Sequence, residues 1–232
     1  ATDGFILPFI NPDKKWDFRL KWVLSISTSG HKFGLVYPGL GWVVWKDKQY
    51  LPADMSFTVD YLGAEVTQVG LNYSRPAAQI LGQYYNFIRL GFEGYRNVQY
   101  NSMQIAKYLH AQLSAMPEFV PYSTEVPNPI VTWLMKPEVQ NSAKWTLYDL
   151  QDKLAQHGWM VPAYTMPIDI QDMVVMRVLC KQGFSRDMCD ELLHDITAAV
   201  AELNALEYPT PTRIAMEKNI PLATKAFNHT GK

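Results

Sequence analysis

The chain has 232 residues and a net charge of −1, with 48% hydrophobic and 19% charged residues, and Cys180 and Cys189 are its only cysteines. That length buries a sizeable core in one large or two modest domains, and a near-neutral balance without like-charge runs argues against nucleic acid or a membrane surface as the partner. No apolar run approaches the ~18 residues of a membrane-crossing helix, and the two cysteines offer neither zinc-ligand spacing nor a disulfide framework, which suits a reducing cytoplasm.

The chain runs from Ala1-Thr-Asp-Gly straight into Phe5-Ile-Leu-Pro-Phe-Ile10. Termini are more often polar and frayed, so the expectation is a C-terminal piece of a longer protein, entered mid-domain. Residues 1–20 read as a loop, with turn signals at Asn11-Pro12-Asp13 and with Trp16 and Phe18 packed on the core. Alternation over Val23–Ser27 predicts a strand that stops at a Gly30-His31-Lys32 turn. Phe33–Trp45 reads as a hairpin: Leu35-Val36-Tyr37, a turn at Pro38-Gly39, then Gly41–Trp45. Phe57–Leu62 predicts a short strand running into Gly63. Asn72–Arg75 is a tight polar segment before Pro76, a residue suited to a first helical turn.

From Ala77 to about Gly91, Ile80, Leu81, Tyr84, Tyr85 and Ile88 recur at helical spacing. A second helical run covers Glu93–Met116, with Ile105, Leu109 and Leu113 on one face. The glycines between them, Gly91 and Gly94, mark a pair that joins two domains, with the boundary near 102. Beyond it, Phe119–Tyr122 and Ile130–Met135 are strand-like. Thr146 and Asp149 form a capping box for a helix stopping at Gly158. The near-continuous apolar run Met173–Cys180 reads as a buried strand, and Ser185 caps a helix striped by Met188, Leu192, Ile196, Val200 and Leu203. The division is therefore 1–102 for the first domain, 103–220 for a small α+β domain and 221–232 for a tail. From Pro209 onward the sequence reads as too polar and proline-broken to fold by itself.

Chemistry concentrates in Ser25–Lys32. A lysine delivered at a strand end can be packed and partly desolvated, the state a Schiff-base lysine needs. His31 beside it can stack on a ring or donate to a phosphate. The competing reading is a surface turn carrying two basic residues. Arg177 interrupts an apolar strand, which is costly unless an anion pairs with it. That anion is a neighbouring acid or a ligand carboxylate. Ser74 stands where a hydroxyl either caps a helix or binds an anion. Tyr61 is either a proton donor or a buried phenol. His110, His157 and His194 read as surface or packing residues. Together the lysine, histidine, serine and arginine describe an amino-acid enzyme using pyridoxal phosphate.

Ser29-Gly-His-Lys-Phe-Gly34, Val59-Asp-Tyr-Leu-Gly63, Asn72-Tyr-Ser-Arg-Pro76, Val174-Val-Met-Arg177 and Phe227-Asn-His-Thr230 together resemble bacterial glutamate decarboxylases, in the same order across essentially the whole chain. The resemblance implies an α/β architecture of the aspartate-aminotransferase-like type I fold. Residues 1–102 would be the C-terminal part of a large cofactor-binding domain, followed by the small α+β domain. It implies pyridoxal 5'-phosphate carried by Lys32, with His31 and Ser29 on the phosphate side and Ser74 reaching the phosphate of a neighbouring subunit. Arg177 would grip a substrate carboxylate, Tyr61 would assist protonation, and the tail His229 would close the site above acidic pH. The implied partners are L-glutamate, further copies in a homodimer or larger ring, and the missing N-terminal half of the same protein. In the family, the Asp paired with the pyridine nitrogen falls before Ala1, and Asp3 stands where the family has a glycine. A decarboxylase of the same fold acting on other amino acids, or a non-catalytic assembly module, are the alternatives.

Overall fold

The computed structural model of the chain describes residues 2–61, 64–69 and 76–218. Two compact units divide it, Ala1–Asn101 and Ser102–Lys232.

In the first unit, a 3-10 turn at Asp3–Phe5 and one helical turn, α1 (Leu7–Ile10), stand where a loop was expected. The apolar opening explains it, because Phe5, Ile6 and Leu7 are buried while Trp16 and Phe18 are only half-buried. A helical turn satisfies the backbone of such a segment internally. β1 (Ser25–Ser29) then leads into a second single turn, α2 (Gly30–Phe33), followed by β2 (Gly41–Trp45). β2 pairs antiparallel with β1, Ser25 opposite Trp45 and Ser29 opposite Gly41. The expected hairpin over 33–45 is therefore wrong. Phe33 ends a helical turn and enters the core beside Phe5, Ile6 and Tyr95, and residues 34–40 cross back as irregular chain. β3 (Ser56–Tyr61) and β4 (Ala64–Val69) form a separate antiparallel hairpin.

The helical pair is one run, α3 (Ala78–Ala115), broken at Gly91 with φ 56° and ψ −166°. A side chain would strain that backbone, so glycine is where the run can bend. The stripe Ile80, Leu81, Tyr84, Tyr85 and Ile88 faces outward, each residue more than half exposed. The buried line is Gln83, Tyr95 and Gln99.

The second unit is built on a four-stranded antiparallel sheet in the order β5 (Phe119–Pro121), β6 (Ile130–Met135), β8 (Val174–Leu179), β7 (Ala163–Thr165). One sheet face carries Val131, Trp133, Met135 and Met176 into a core shared with Ile105, Leu109 and Leu113 of α3. Between β6 and β7 lie α4 (Pro137–Ser142) and α5 (Leu147–Gln156), and after β8 come α6 (Arg186–Asn204) and α7 (Pro211–Glu217). The start of α5 is fixed by Asp149, whose Oδ2 accepts the Thr146 amide at 2.8 Å and the Thr210 hydroxyl at 2.9 Å. Ser185 Oγ accepts the Met188 amide at 3.1 Å to open α6. In the stripe of α6, Leu192, Ile196, Val200 and Leu203 are buried, but Met188 is exposed and Cys189 is the residue inside. α7 was not expected. Thr210 Oγ1 accepts the Arg213 amide, and the Arg213 guanidinium donates to the Gln140 carbonyl at 2.6 Å and to Glu217 at 2.9 Å. Pro211 in its first turn starts the helix rather than breaking it.

Candidate active site

The Gly-His-Lys segment is a turn of helix set on the end of a paired strand. Ser29 occupies the residue before α2 in extended conformation, and its hydroxyl makes no capping hydrogen bond. The Gly30 amide donates to the Leu40 carbonyl at 3.2 Å, tying the turn to the chain entering β2. His31 and Lys32 are half-buried, and among the described residues neither side chain has a hydrogen bond or an ion pair. Phe33 and Gly34 are buried, so a half-buried lysine stands on a buried base.

That base is held by α3. Gln99 Nε2 donates to the Phe33 carbonyl at 2.8 Å, Gln83 Nε2 to the Gly34 carbonyl at 2.7 Å, and Asn86 Nδ2 to the Leu35 carbonyl at 2.7 Å. The Tyr95 hydroxyl also donates to the Gly34 carbonyl, at 2.9 Å, and accepts from Gln83 Nε2 at 2.8 Å. Burial pushes the Tyr95 phenol up to about 12, with the Gln83 hydrogen bond pulling back only partly. The close approach depends on two glycines. A Cβ on Gly30 would lie 2.9 Å from Gln83 Oε1, and one on Gly34 would lie 2.8 Å from it and 2.6 Å from the Gly30 carbonyl oxygen. Leu35 follows with φ 65°, a left-handed conformation uncommon outside glycine.

These four α3 side chains were not among the sequence-derived candidates. The signal that could have found them is the Gly-x-x-x-Gly spacing of 30 and 34, which opens a notch on one side of a turn. Its counterpart is the placement of Gln83 and Gln99 off the apolar stripe of a helix.

Arg177 is not where a buried strand would put it. In β8, Val175 and Met176 are buried and Arg177 is exposed, with the guanidinium 5.5 Å from the centre of the Tyr164 ring. It stands opposite Thr132 in the register. Strand residues alternate faces, so the core takes Met176 and leaves Arg177 outside. No described acid pairs with it. Lys32 lies in the first unit and Arg177 in the second. Tyr61 ends β3, with its side chain outside the described residues, and Ser74 and His229 lie outside them entirely. Of the other histidines, His110 Nε2 lies 2.8 Å from the Ser123 carbonyl, and His157 lies 3.8 Å from Asp195. Cys180 and Cys189 are free and buried, and burial pushes their thiols up to about 12 and about 11. Thiols so far from ionising at neutral pH are poor nucleophiles. Among the described residues no group of three or more His, Cys, Asp or Glu side chains could hold a metal ion. No helix among them is long and apolar enough to cross a membrane.

Comparison with known proteins bears on this arrangement. Residues 1–136 match the pyridoxal-dependent decarboxylase conserved domain. The chain is 46% identical over 204 residues to glutamate decarboxylase beta of Listeria innocua, covering 88% of this chain and 44% of that protein. Among solved structures it is similar to glutamate decarboxylase of Lactobacillus brevis, with a TM-score of 0.82 and 42% identity over 89% of this chain and 46% of that one. The sphingosine-1-phosphate lyase of Burkholderia pseudomallei, 22% identical, shares the fold at a TM-score of 0.70 over 96% of this chain and 48% of that one. The architecture is the type I fold of pyridoxal-phosphate enzymes, and the chain spans less than half the length of these relatives.

Proposed function

The chain belongs to the pyridoxal-dependent decarboxylase family, and from that premise we propose that the protein containing it is a glutamate decarboxylase, converting L-glutamate to 4-aminobutanoate and CO2 with pyridoxal 5'-phosphate. When bound, that cofactor supplies an aldehyde that condenses with amines and a pyridinium ring that takes up the electron pair left by departing CO2.

The residues present fit the group, and the observation that carries the reading is Lys32 itself. Lys32 is half-buried as a residue and no described carboxylate holds its amine as a salt bridge, so its nitrogen is not committed elsewhere. The Ser29 hydroxyl makes no cap bond and the His31 ring has no described partner, leaving both to donate to phosphate oxygens. Ser74 is assigned to the phosphate of a neighbouring subunit. Arg177, exposed and without an ion pair, has a free fork for a substrate carboxylate. Lys32 and Tyr61 are assigned to moving the proton onto Cα, and His229 to closing the site as pH rises. One proton is consumed for each CO2 released, which suits a role in resisting acid.

Residues 1–102 are the C-terminal part of the cofactor-binding domain in this reading, 103–220 the small domain, and 221–232 a tail. The remaining partners are the N-terminal half of the same protein and further copies in a homo-oligomer. The outward apolar stripe of α3 supports such an assembly, because so continuous an apolar face is seldom left to water. Free, buried cysteines support a reducing compartment such as the cytoplasm. The test uses the complete protein, reduced with borohydride after loading with cofactor. The expected result is a pyridoxyl mass on the peptide containing Lys32, and 4-aminobutanoate formation that Lys32→Ala abolishes. An adduct on another lysine, or activity surviving the substitution, removes the assignment.

A further inference from the structure

α2 has only four residues, too few to satisfy its own carbonyls. The carbonyls of Phe33, Gly34 and Leu35 instead receive four side-chain donors from one helix: Gln99, Gln83, Tyr95 and Asn86. All three carbonyls lie within three residues of Lys32.

Two features separate this arrangement from ordinary packing. Gln83 and Gln99 are completely buried, yet the Oε1 atom of each has no hydrogen-bond partner. A buried unpaired acceptor costs about 1–3 kcal/mol, a cost each glutamine carries alongside the hydrogen bond that its Nε2 gives to a carbonyl of the turn. What an apolar side chain could not do is hold a carbonyl at a set place. Leu35 is also kept at positive φ with its carbonyl gripped by Asn86, and such local cost persists where surrounding structure over-determines the backbone.

We infer that Gln83, Asn86, Tyr95 and Gln99 form a positioning clamp for Lys32, fixing the backbone that carries its amine and so setting where Nζ stands. The inference rests on the reading of Lys32 as the cofactor-bearing residue. None of the four hydrogen-bonds the Lys32 side chain; they act through the main chain of residues 33–35.

The test compares the complete wild-type protein with Gln83→Met, Gln99→Met and Tyr95→Phe, the methionines keeping length while losing the donor. In cofactor-free protein, amide exchange over residues 30–36 is expected to speed up about tenfold, in line with the loss of a buried hydrogen bond. In loaded protein, kcat is expected to fall about ten- to a hundredfold while KM stays within about twofold, as for a displaced catalytic group. The visible circular dichroism per bound cofactor is expected to shrink, since the signal of an achiral cofactor is induced by the ordered, asymmetric protein groups around it. A purely stabilising role would lower the folded fraction and leave kcat per folded molecule and the dichroism unchanged, and that result overturns the clamp. If either methionine variant does not fold, Tyr95→Phe decides the question. It keeps the ring and leaves Gln83 on the Gly34 carbonyl, so a smaller loss in kcat, about threefold, is expected. Borohydride labelling of the wild type separates the two claims. Labelling at Lys32 with unchanged variants removes the clamp alone, whereas labelling at another lysine removes the reading of Lys32 and the clamp with it.

Discussion

The two stretches of α3 obey opposite rules. In residues 102–115, Ile105, Ala106, Leu109 and Leu113 are buried, and Gln104 and Lys107 are exposed. In residues 78–101, the buried positions include Gln83, Tyr95 and Gln99, and Ile80, Leu81, Tyr84, Tyr85 and Ile88 face out. What differs is the surface each packs on. Residues 102–115 meet the apolar face of a sheet, where area removed from water decides. Residues 78–101 meet a turn whose three terminal carbonyls need donors, and a leucine placed there would leave them unpaired. Amphipathic patterning tells which side of a helix is buried only when the partner surface is apolar.

The sharpest way to break the comparison is to cut each stretch at its buried face. Leu109 is fully buried in the sheet-facing stretch, so Leu109→Ala is expected to cost about 2–5 kcal/mol through lost transfer energy plus a cavity. Chemical denaturation checks it, and a loss below 1 kcal/mol would mean this face is not core.

Glycine substitutions give the next effect. Gly34→Ala places a Cβ 2.6 Å from the Gly30 carbonyl oxygen and 2.8 Å from Gln83 Oε1. Backbone on one side and a pinned glutamine on the other leave little room to yield, so about 1–3 kcal/mol is expected to be lost. Gly82→Ala is the control one residue from Gln83. Its Cβ would meet only Val36, at an ordinary 3.8 Å, and alanine in a helix interior is expected to add about 0.5–1 kcal/mol. Melting of the two variants side by side should move in opposite directions.

How much of this was legible depends on how local the cause is. The start of α5 at Thr146 and Asp149, the Ser185 cap and the glycine stop at Gly158 are written within a few residues of where they act, and each is found as read. The 33–45 hairpin, the helix α7 and the core position of Phe5–Leu7 depend on distant partners: α3 for the first, Gln140 and Asp149 for the second, Tyr95 for the third. Arg177 was misjudged for a related reason. An apolar run suggests burial on both faces, whereas the sheet buries Met176 and leaves Arg177 exposed over Tyr164. Lys32 and its neighbours were legible as a motif. The clamp beneath them was not, because Gln83, Tyr95 and Gln99 are 51 or more residues away and are ordinary residues for an exposed helix face.

A pH titration reads the polar stretch by itself. The Tyr95 phenol is raised to about 12 by burial against a reference of 10.0. Folding therefore favours the protonated form, so this contribution is fully present below pH 10 and is lost as pH rises toward 12. The phenolate can no longer donate to the Gly34 carbonyl. Stability of the wild type should fall between pH 10 and 12 more steeply than that of Tyr95→Phe, with the difference constant from pH 7 to 9. Parallel curves through the whole range would mean Tyr95 titrates as an exposed phenol.

The smallest effect on the chain itself is expected on the outward stripe. Leu81 is 66% exposed, so in residues 1–232 Leu81→Gln should change stability by no more than about 0.5 kcal/mol. The complete protein is the informative contrast. If assembly covers the stripe, the leucine is a contact there, and replacing it forfeits apolar burial worth about 1.5–3 kcal/mol while placing an amide in an apolar interface. Sedimentation of the complete protein should then show dissociation at higher concentrations than wild type, although residues 1–232 by themselves melt unchanged. Equal behaviour in both settings would leave the stripe facing solvent. The inverted face of residues 78–101 would then be explained by the needs of the Lys32 turn alone.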